Sequence, residues 1–414
     1  MTEIPDRLDR AEWLQKGPLA RLLALLNRDG EEARVIGGAV RNALLNETIG
    51  DVDVATTAPP EEVIRRVEQA GFKAVPTGIE HGTVTVVADG TPFEVTTLRQ
   101  DVETFGRKAK VAFGRDWKQD AERRDFTINA LSVTPEGVIH DYVGALADLA
   151  QRRVVFIGDA ARRIAEDYLR ILRFFRFHAA YGDGLPDAAG LHACIAARAG
   201  LDNLSRERLR MELVKLLLAP HATPVLAVMT ETGILITLLG GVPLLASFEN
   251  MCKVEAATET APDAVRRLGA LGVILAEDAE RLSQRLRLAN AEHERLASMG
   301  EDWWRINPAG GERTARALLY RLGPERYIDR MLVAWSRSWE QGADDPTWRD
   351  LATLPRRWTA PVFPLRAADF VARGVAKGPA LGRALAAAEE AWIGADFPMD
   401  KPALTAIADA ACAK

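Results

Sequence analysis

Strand-like patterns end near residue 150 of this 414-residue chain, and the remainder reads as helix almost to its end. That asymmetry decides the fold class. No convincing internal repeat is present. What remains is an α+β head with a mixed or antiparallel sheet and flanking helices, followed by an all-α remainder. At roughly 150 residues per domain, two to four domains are expected.

Within the head, residues 12–28 read as an amphipathic helix. Arg34-Val35-Ile36 forms a short strand that runs into the Gly37-Gly38 turn, and Ala39 to Leu45 forms a helix. In Asp51-Val52-Asp53-Val54 the valines share one face of a strand and the aspartates the other. Pro59-Pro60 opens a further helix, since proline is tolerated in a first turn. Two alternating runs, 81–87 and 92–98, flank Asp89-Gly90 and read as a β-hairpin. The charged stretch 99–120 reads as a mobile loop. Ala160 to Ala180 and Ser205 to Leu218 read as long helices. Residues 225–414 read as helices broken at Pro243, Asn307-Pro308, Asp344–Pro346, Pro361 and Pro364.

The chain is 48% hydrophobic and 27% charged, enough for a sizeable globular core. A net charge of -5 gives no chain-wide basic signature, so any nucleic-acid contact must come from local patches. Cys194, Cys252 and Cys412 are scattered and form no CxxC pair, which argues against a zinc knuckle or a disulfide framework. The opening residues lack the pattern of a secretory signal, and no apolar run is long enough to span a membrane. A cytoplasmic protein without an obligate protein partner is expected.

The chemistry concentrates in three places. Asp51 and Asp53, projecting together from one strand, repel each other unless a cation sits between them. Hard carboxylate oxygens suit Mg²⁺, and such a pair serves two-metal phosphoryl transfer. Glu94, in a neighbouring strand, is a candidate third carboxylate; the plain alternative is an exposed strand residue. Gly37 and Gly38 allow phosphates to approach the backbone at a helix start, and Arg41 one turn later is a candidate phosphate donor.

The second place is Arg123-Arg124-Asp125-Phe126-Thr127-Ile128-Asn129. Arg124 is a candidate triphosphate ligand. Asp125 and Asn129, four residues apart, either face a ribose together or represent a helix cap with an exposed asparagine. The third is Glu166-Asp167-Tyr168-Leu169-Arg170, followed by Arg173 and Arg176. A solvated helix face is the plain alternative for such a charge run. Here Leu172, Phe174, Phe175 and Phe177 interleave the arginines, so the helix is largely buried and its arginines require anionic partners. A triphosphate and a base would provide them. An acceptor carboxylate beside a guanidinium fork is also a device for reading a base edge.

Taken in order, Gly37-Gly38-Ala39-Val40-Arg41, Asp51-Val52-Asp53, Arg123-Arg124-Asp125-Phe126-Thr127-Ile128-Asn129-Ala130 and Glu166-Asp167-Tyr168-Leu169-Arg170 resemble the signatures of class II tRNA nucleotidyltransferases. Bacterial poly(A) polymerases share that class, and the head resembles the DNA polymerase β superfamily. Asp141–Leu149 is similar to the family's linker and Leu204–Leu213 to its neck helix. The resemblance covers residues 35–215. It implies a head over 1–150, a neck over 151–225 and a helical body and tail over 226–414 that binds tRNA.

It also implies addition of CCA to tRNA 3′ ends from CTP and ATP, with Mg²⁺ on Asp51 and Asp53 and Glu94 as the third carboxylate. Gly38, Arg41, Arg124 and Asp125 would contact the nucleotide. Asp167 and Arg170 would template the base, supported by Arg173 and Arg176, and the 100–120 loop would assist the switch from C to A. Asn42 and Ala145 depart from the family's usual aspartate and glycine. Beyond residue 225 only Arg313, Arg316, Arg321, Arg326 and Arg330 suggest a phosphate-binding face, with a solvated face as the alternative; Trp303-Trp304 reads as core or interface.

Overall fold

The structure, a computed structural model, describes residues 4–5, 7–8, 11–105, 108–338 and 342–413, with the backbone alone for 81, 100–105 and 108–112. Contacts divide the chain into Met1–Leu238 and Leu239–Lys414.

The first unit is built on a seven-stranded mixed sheet. Its strands are β1 (Ala33–Ile36), β2 (Asp53–Thr56), β3 (Lys73–Gly78), β4 (Thr83–Ala88), β5 (Thr91–Thr97), β8 (Ser132–Val133) and β9 (Ile139–His140), in the order β3-β4-β5-β2-β1-β8-β9. β2 and β5 run parallel; the other neighbours are antiparallel. β6 (Arg99–Phe105) and β7 (Lys108–Phe113) form a separate hairpin. The stretch read as a loop over 99–120 is therefore backbone-paired, and the helix Trp117–Glu122 follows it. Asp116 caps that helix by accepting the Lys118 and Gln119 N–H groups.

The hairpin of β4 and β5 follows from its turn. Asp89 and Gly90 both have positive φ, 50° and 80°, the geometry that matches strand twist in a two-residue turn. Register then pairs Val84 with Val95 and Val86 with Phe93, all buried, and leaves Thr85 and Glu94 on the opposite face. The helices Gly17–Leu26 and Pro60–Gln69 cover the sheet with Leu22, Leu23, Leu26, Val63 and Val67. The single helix expected over 12–28 is broken: Glu12–Gln15 ends at Lys16, and a new helix starts at Gly17 with Pro18 in its first turn.

The helix expected over 160–180 is also two helices, Ala160–Glu166 and Leu169–Tyr181. Asp167 is extended, with φ -156° and ψ 107°, and its Oδ1 accepts the Leu169 N–H at 3.1 Å. A short acceptor side chain competes in this way with helix continuation. Phe126, Phe156, Phe174, Phe175 and Phe177 pack together beneath the second helix. Asp141 accepts four successive backbone N–H groups, from Val143 to Leu146, and so fixes the start of the helix Ala145–Ala150.

Among its described residues the second unit has helices and connecting loops but no strand. Its longest helix, Gly311–Ser336, is kinked at Gly323, ahead of Pro324, a break that the sequence reading missed. Of the arginines proposed as a phosphate-binding face, Arg316 pairs with Glu312 and Asp396, Arg321 with Glu390, and Arg326 with Glu294; Arg330 is buried against Ser298 and Glu301. Those four charges are met by the protein itself. Trp303 is half-buried and donates to the Ile274 carbonyl, whereas Trp304 is exposed.

The core of this unit holds a buried ionic network. Asp329 accepts from Arg266 at 3.0 Å and from Arg295 at 2.8 Å, and Glu255 accepts from Arg266 and Arg267, each at 2.8 Å. Removing one member leaves desolvated charges without a partner. Asp329→Ala should therefore destabilise this unit by about 3–5 kcal/mol in urea unfolding. A loss below about 1 kcal/mol would show that the arginines reach water.

Candidate active site

β2 begins at Asp53, wedged between β1 and β5. Asp53 lies in register with Ile36 on one side and Glu94 on the other. Neighbouring strands are about 4.8 Å apart, and parallel partners in register project to the same face. Asp53 and Glu94 are therefore adjacent, and both are exposed. Asp51 does not lie in the strand as the alternation suggested. It occupies a bend two residues earlier, also exposed, so its position is set by the chain entering β2.

The charges nevertheless converge. The Asp53 carboxyl is held above the ordinary aspartate range, first by desolvation and then by the negative charges of Glu94 and Asp51, with Arg124 opposing them. Mutually repelling hard oxygens are the donor set that a small divalent cation takes. Among the described residues, no three His, Cys, Asp or Glu side chains form a ready-made metal cage. Asp51, Asp53 and Glu94 thus suit Mg²⁺ only as part of its shell, leaving positions for substrate oxygens and water.

Gly37 follows β1 directly, with φ 67° and ψ -123°. A Cβ there would face strain from the positive φ and would sit 3.4 Å from Arg124 Nη1. Glycine thus lets the guanidinium lie against the backbone beside the acids. Arg124 is itself anchored, donating to Asp120 at 3.2 Å and to the Asn129 carbonyl at 3.3 Å. Gly38 starts the helix Gly38–Leu44.

Arg41, read from the sequence as a candidate phosphate donor, has its donors on protein partners. It is buried, and it donates to Asn129 Oδ1 at 2.5 Å, to Tyr181 at 2.7 Å and to Asn42 at 2.9 Å. The Tyr181 ring lies 3.8 Å beneath it. Burial lowers its pKa, partly offset by Tyr181. Asn42, the departure noted above, is thus the residue that holds Arg41 from behind, while its own Nδ2 donates to the Thr48 carbonyl.

Asn129 is buried rather than exposed, and Asp125 caps no helix. Asp125 accepts from Arg173 Nε at 2.7 Å, from Asn129 Nδ2 at 3.2 Å and from the Phe126 N–H at 2.9 Å. Burial alone would raise its pKa, but Arg173 and these hydrogen bonds hold it below the ordinary range. The ladder continues through Glu212, which is 4% exposed and accepts from Arg176 at 2.5 Å with Arg173 at 3.6 Å. The anionic partners demanded by the arginine-rich helix are therefore protein carboxylates.

Asp167 and Arg170 do not pair with each other. Arg208 of the helix Arg206–Leu217 grips Asp167 at 3.2 and 2.6 Å, and Arg170 donates to Glu166 Oε2 and the Arg163 carbonyl, each at 2.5 Å. Glu166 also accepts from Arg163 at 2.6 Å. Tyr181, Asp120, Arg163, Arg208 and Glu212 received no role from sequence. Arg208 and Glu212 carried a signal, as a charged pair four residues apart on a helix that buries Leu209, Leu213, Leu216 and Leu217. A nearby cleft of about 950 Å³ runs past Arg99, Arg123, Arg163, Phe156 and Glu166, and does not include the three acids.

The raised pKa of Asp53 has a consequence for stability. A carboxyl whose folded pKa exceeds its unfolded value costs stability once ionised, and that cost disappears as pH falls below the unfolded value. Asp53→Asn should raise the thermal midpoint at pH 7, and the gain should shrink toward pH 4. A lower midpoint at pH 7 would mean that the carboxylate is not repelled.

Both the sequence and the fold resemble known proteins. Residues 33–155 match the model of the Poly A polymerase head domain, and residues 189–248 match a probable RNA and SrmB-binding site of polymerase A. The chain is 35% identical to the mitochondrial CCA tRNA nucleotidyltransferase 1 of Danio rerio, over 93% of this chain and 89% of that one. It is 31% identical to the CCA-adding enzyme of Limosilactobacillus fermentum, over 89% and 90%. The Bacillus stearothermophilus CCA-adding enzyme in complex with CTP superposes with a TM-score of 0.74 at 26% identity, covering 95% of this chain and 98% of that one. With identity of this order sustained along nearly the whole chain, this protein belongs to the family of CCA-adding tRNA nucleotidyltransferases.

Proposed function

We propose that this enzyme adds C, C and A to the 3′ end of tRNA, taking CTP and ATP as substrates and Mg²⁺ as its metal. The observation that carries the reading is the register of Asp53 beside Glu94, with the charge of Asp51 added and Arg124 opposite. Family membership supplies the substrate class. Enzymes of this family are metal-dependent, and the acids present here are suited to Mg²⁺. Bound metal would supply charge neutralisation at the triphosphate and a more acidic primer hydroxyl.

The chain's own residues then have separable tasks. Asp51 and Asp53 hold the metal, and Glu94 stands where it can take the proton of the 3′-hydroxyl. The hydroxyl oxygen bonds to the α-phosphorus as the bond to the bridging oxygen breaks, and pyrophosphate leaves with that electron pair. Arg124, beside Gly37, supplies positive charge for the departing phosphates. Asp125 and Asn129 line the ribose. Their orientation is fixed from behind by Arg173 and by Arg41, so Arg41, Arg173 and Arg176 act here by positioning.

Base selection falls to Asp167 and Arg170, an acceptor and a donor fork. To reach a base, Asp167 shares or leaves Arg208, and Arg170 leaves Glu166. The free structure thus holds both selecting groups on protein partners. No helix of the described residues is long and apolar enough to cross a membrane. A cytoplasmic location is proposed from the scattered cysteines, of which Cys194 is buried with its thiol pKa raised by that burial. The head-domain match keeps long A-tail synthesis as the second reading.

Purified protein, tRNA lacking its 3′ end, Mg²⁺ and single or combined nucleotides separate these readings. CCA that stops after one A is expected; long A tails, arrest after CC, or A addition alone would each replace the proposal. Asp51→Ala and Asp53→Ala should each lower incorporation by at least about 10²-fold while tRNA still binds. Retained turnover in either would refute the metal assignment. Arg170→Ala should change the C-versus-A preference by about tenfold or more, with tRNA affinity unaltered. An unchanged preference would remove Arg170 from base selection.

A further inference from the structure

Glu166 is a carboxylate shared by two guanidinium groups. Its Oε2 accepts from Arg163 Nη1 at 2.6 Å and from Arg170 Nη1 at 2.5 Å. It ends the helix Ala160–Glu166, where the helix dipole disfavours negative charge and a nearby cation is stabilising. Arg162 lies 3.9 Å from the other oxygen, but it is 83% exposed, and a pair of that kind contributes little.

The two arginines differ in what else holds them. Arg163 also donates to the Arg123 and Arg124 carbonyls, and those bonds do not depend on Glu166. Arg170 has the Arg163 carbonyl as its second acceptor, on the same helical turn as Glu166 and reached by the same nitrogen. One movement of the Arg170 side chain therefore leaves both. The two cations also repel each other across the carboxylate. Burial lowers the Arg163 pKa, the charge of Arg170 lowers it further, and Glu166 opposes both.

With Glu166 as its only close cation, Arg170 would leave behind a partly buried carboxylate without a partner, a costly state. Arg163, fixed by two backbone carbonyls, removes that cost. It keeps Glu166 neutralised, and the repulsion between the arginines is relieved as Arg170 departs.

We propose, on the reading that Arg170 selects the base, that Arg163 is a positioning residue for this step: a resident counter-ion of Glu166 that frees Arg170 to meet the base of CTP or ATP. Without Arg163, Arg170 stays on Glu166. Apparent nucleotide affinity then falls with the fraction of protein in which Arg170 is released.

The test is equilibrium binding of CTP, ATP and inorganic triphosphate to the full-length protein with Mg²⁺ and without tRNA, so that no nucleotide is consumed. Arg163→Gln should weaken CTP and ATP about tenfold and leave inorganic triphosphate, which has no base, within about twofold. Adding Glu166→Gln removes the charge that traps Arg170, and should return CTP and ATP to within about threefold of the parent. A merely structural role gives a different pattern. Loss of the Arg123 and Arg124 carbonyl contacts would weaken all three probes alike, and Glu166→Gln would restore none. Either result, or unchanged CTP and ATP binding in Arg163→Gln, overturns the proposal. Arg163→Lys keeps the cation without the fork and should bind CTP and ATP within about threefold of the parent. A loss of about tenfold or more there overturns the proposal even where Arg163→Gln does not fold. An unchanged C-versus-A preference in Arg170→Ala would remove base selection by Arg170 and this role of Arg163 with it. A changed preference without restoration by Glu166→Gln would remove the role of Arg163 alone.

Discussion

In the head of this protein, desolvation and then repulsion from Glu94 and Asp51 hold the Asp53 carboxyl above its ordinary range. Two of the three are locked side by side by a parallel strand pair, and the third approaches from the bend that feeds it. An isolated fold would relieve this repulsion by substitution or by turning a side chain away. Retaining it concentrates negative potential at the start of β2, among the inner strands of the sheet, a setting that suits a divalent cation. The surroundings follow from this requirement. Gly37 lets Arg124 lie close to the backbone, and the charge of Arg124 opposes that of the acids.

A second, neutralised layer of charge lies behind the first. Asp125, Arg173, Glu212 and Arg176 form a ladder in which each charge has a partner, and Arg41 is enclosed by Asn42, Asn129 and Tyr181. Such pairs contribute little net stability, since desolvation offsets most of the attraction. Their effect is orientation, because a guanidinium held at several atoms has one rotamer. Asp167 and Arg170 are partly exposed, Asp167 held by Arg208 and Arg170 by Glu166 and the Arg163 carbonyl.

Much of this was legible before the structure. The hairpin at Asp89-Gly90, the helical remainder and the positions of the acids came from turn chemistry and hydrophobic period. Glu94 was identified as a neighbour of the pair, although only register could show that it sits beside Asp53 and not Asp51. The errors have physical causes. Asp51 precedes its strand because strand ends depend on pairing partners, which alternation does not reveal. The helix over 160–180 breaks at Asp167 because a side-chain acceptor competes with the backbone locally. The arginines were assigned to ligand because their protein partners, Asp125 and Glu212, lie 48 and 36 residues away along the chain.

Sequence alone determined the inventory: an acid pair behind a glycine turn, an arginine-rich buried helix, and the order in which they occur. Those properties are local, set by residue type and spacing within a few turns. Tertiary structure decided the allocation, meaning which arginines are consumed inside the protein and which remain available. It left Arg41 buried and Arg208 on Asp167. Charge pairing depends on distances between residues far apart in the chain, and only folding sets those distances.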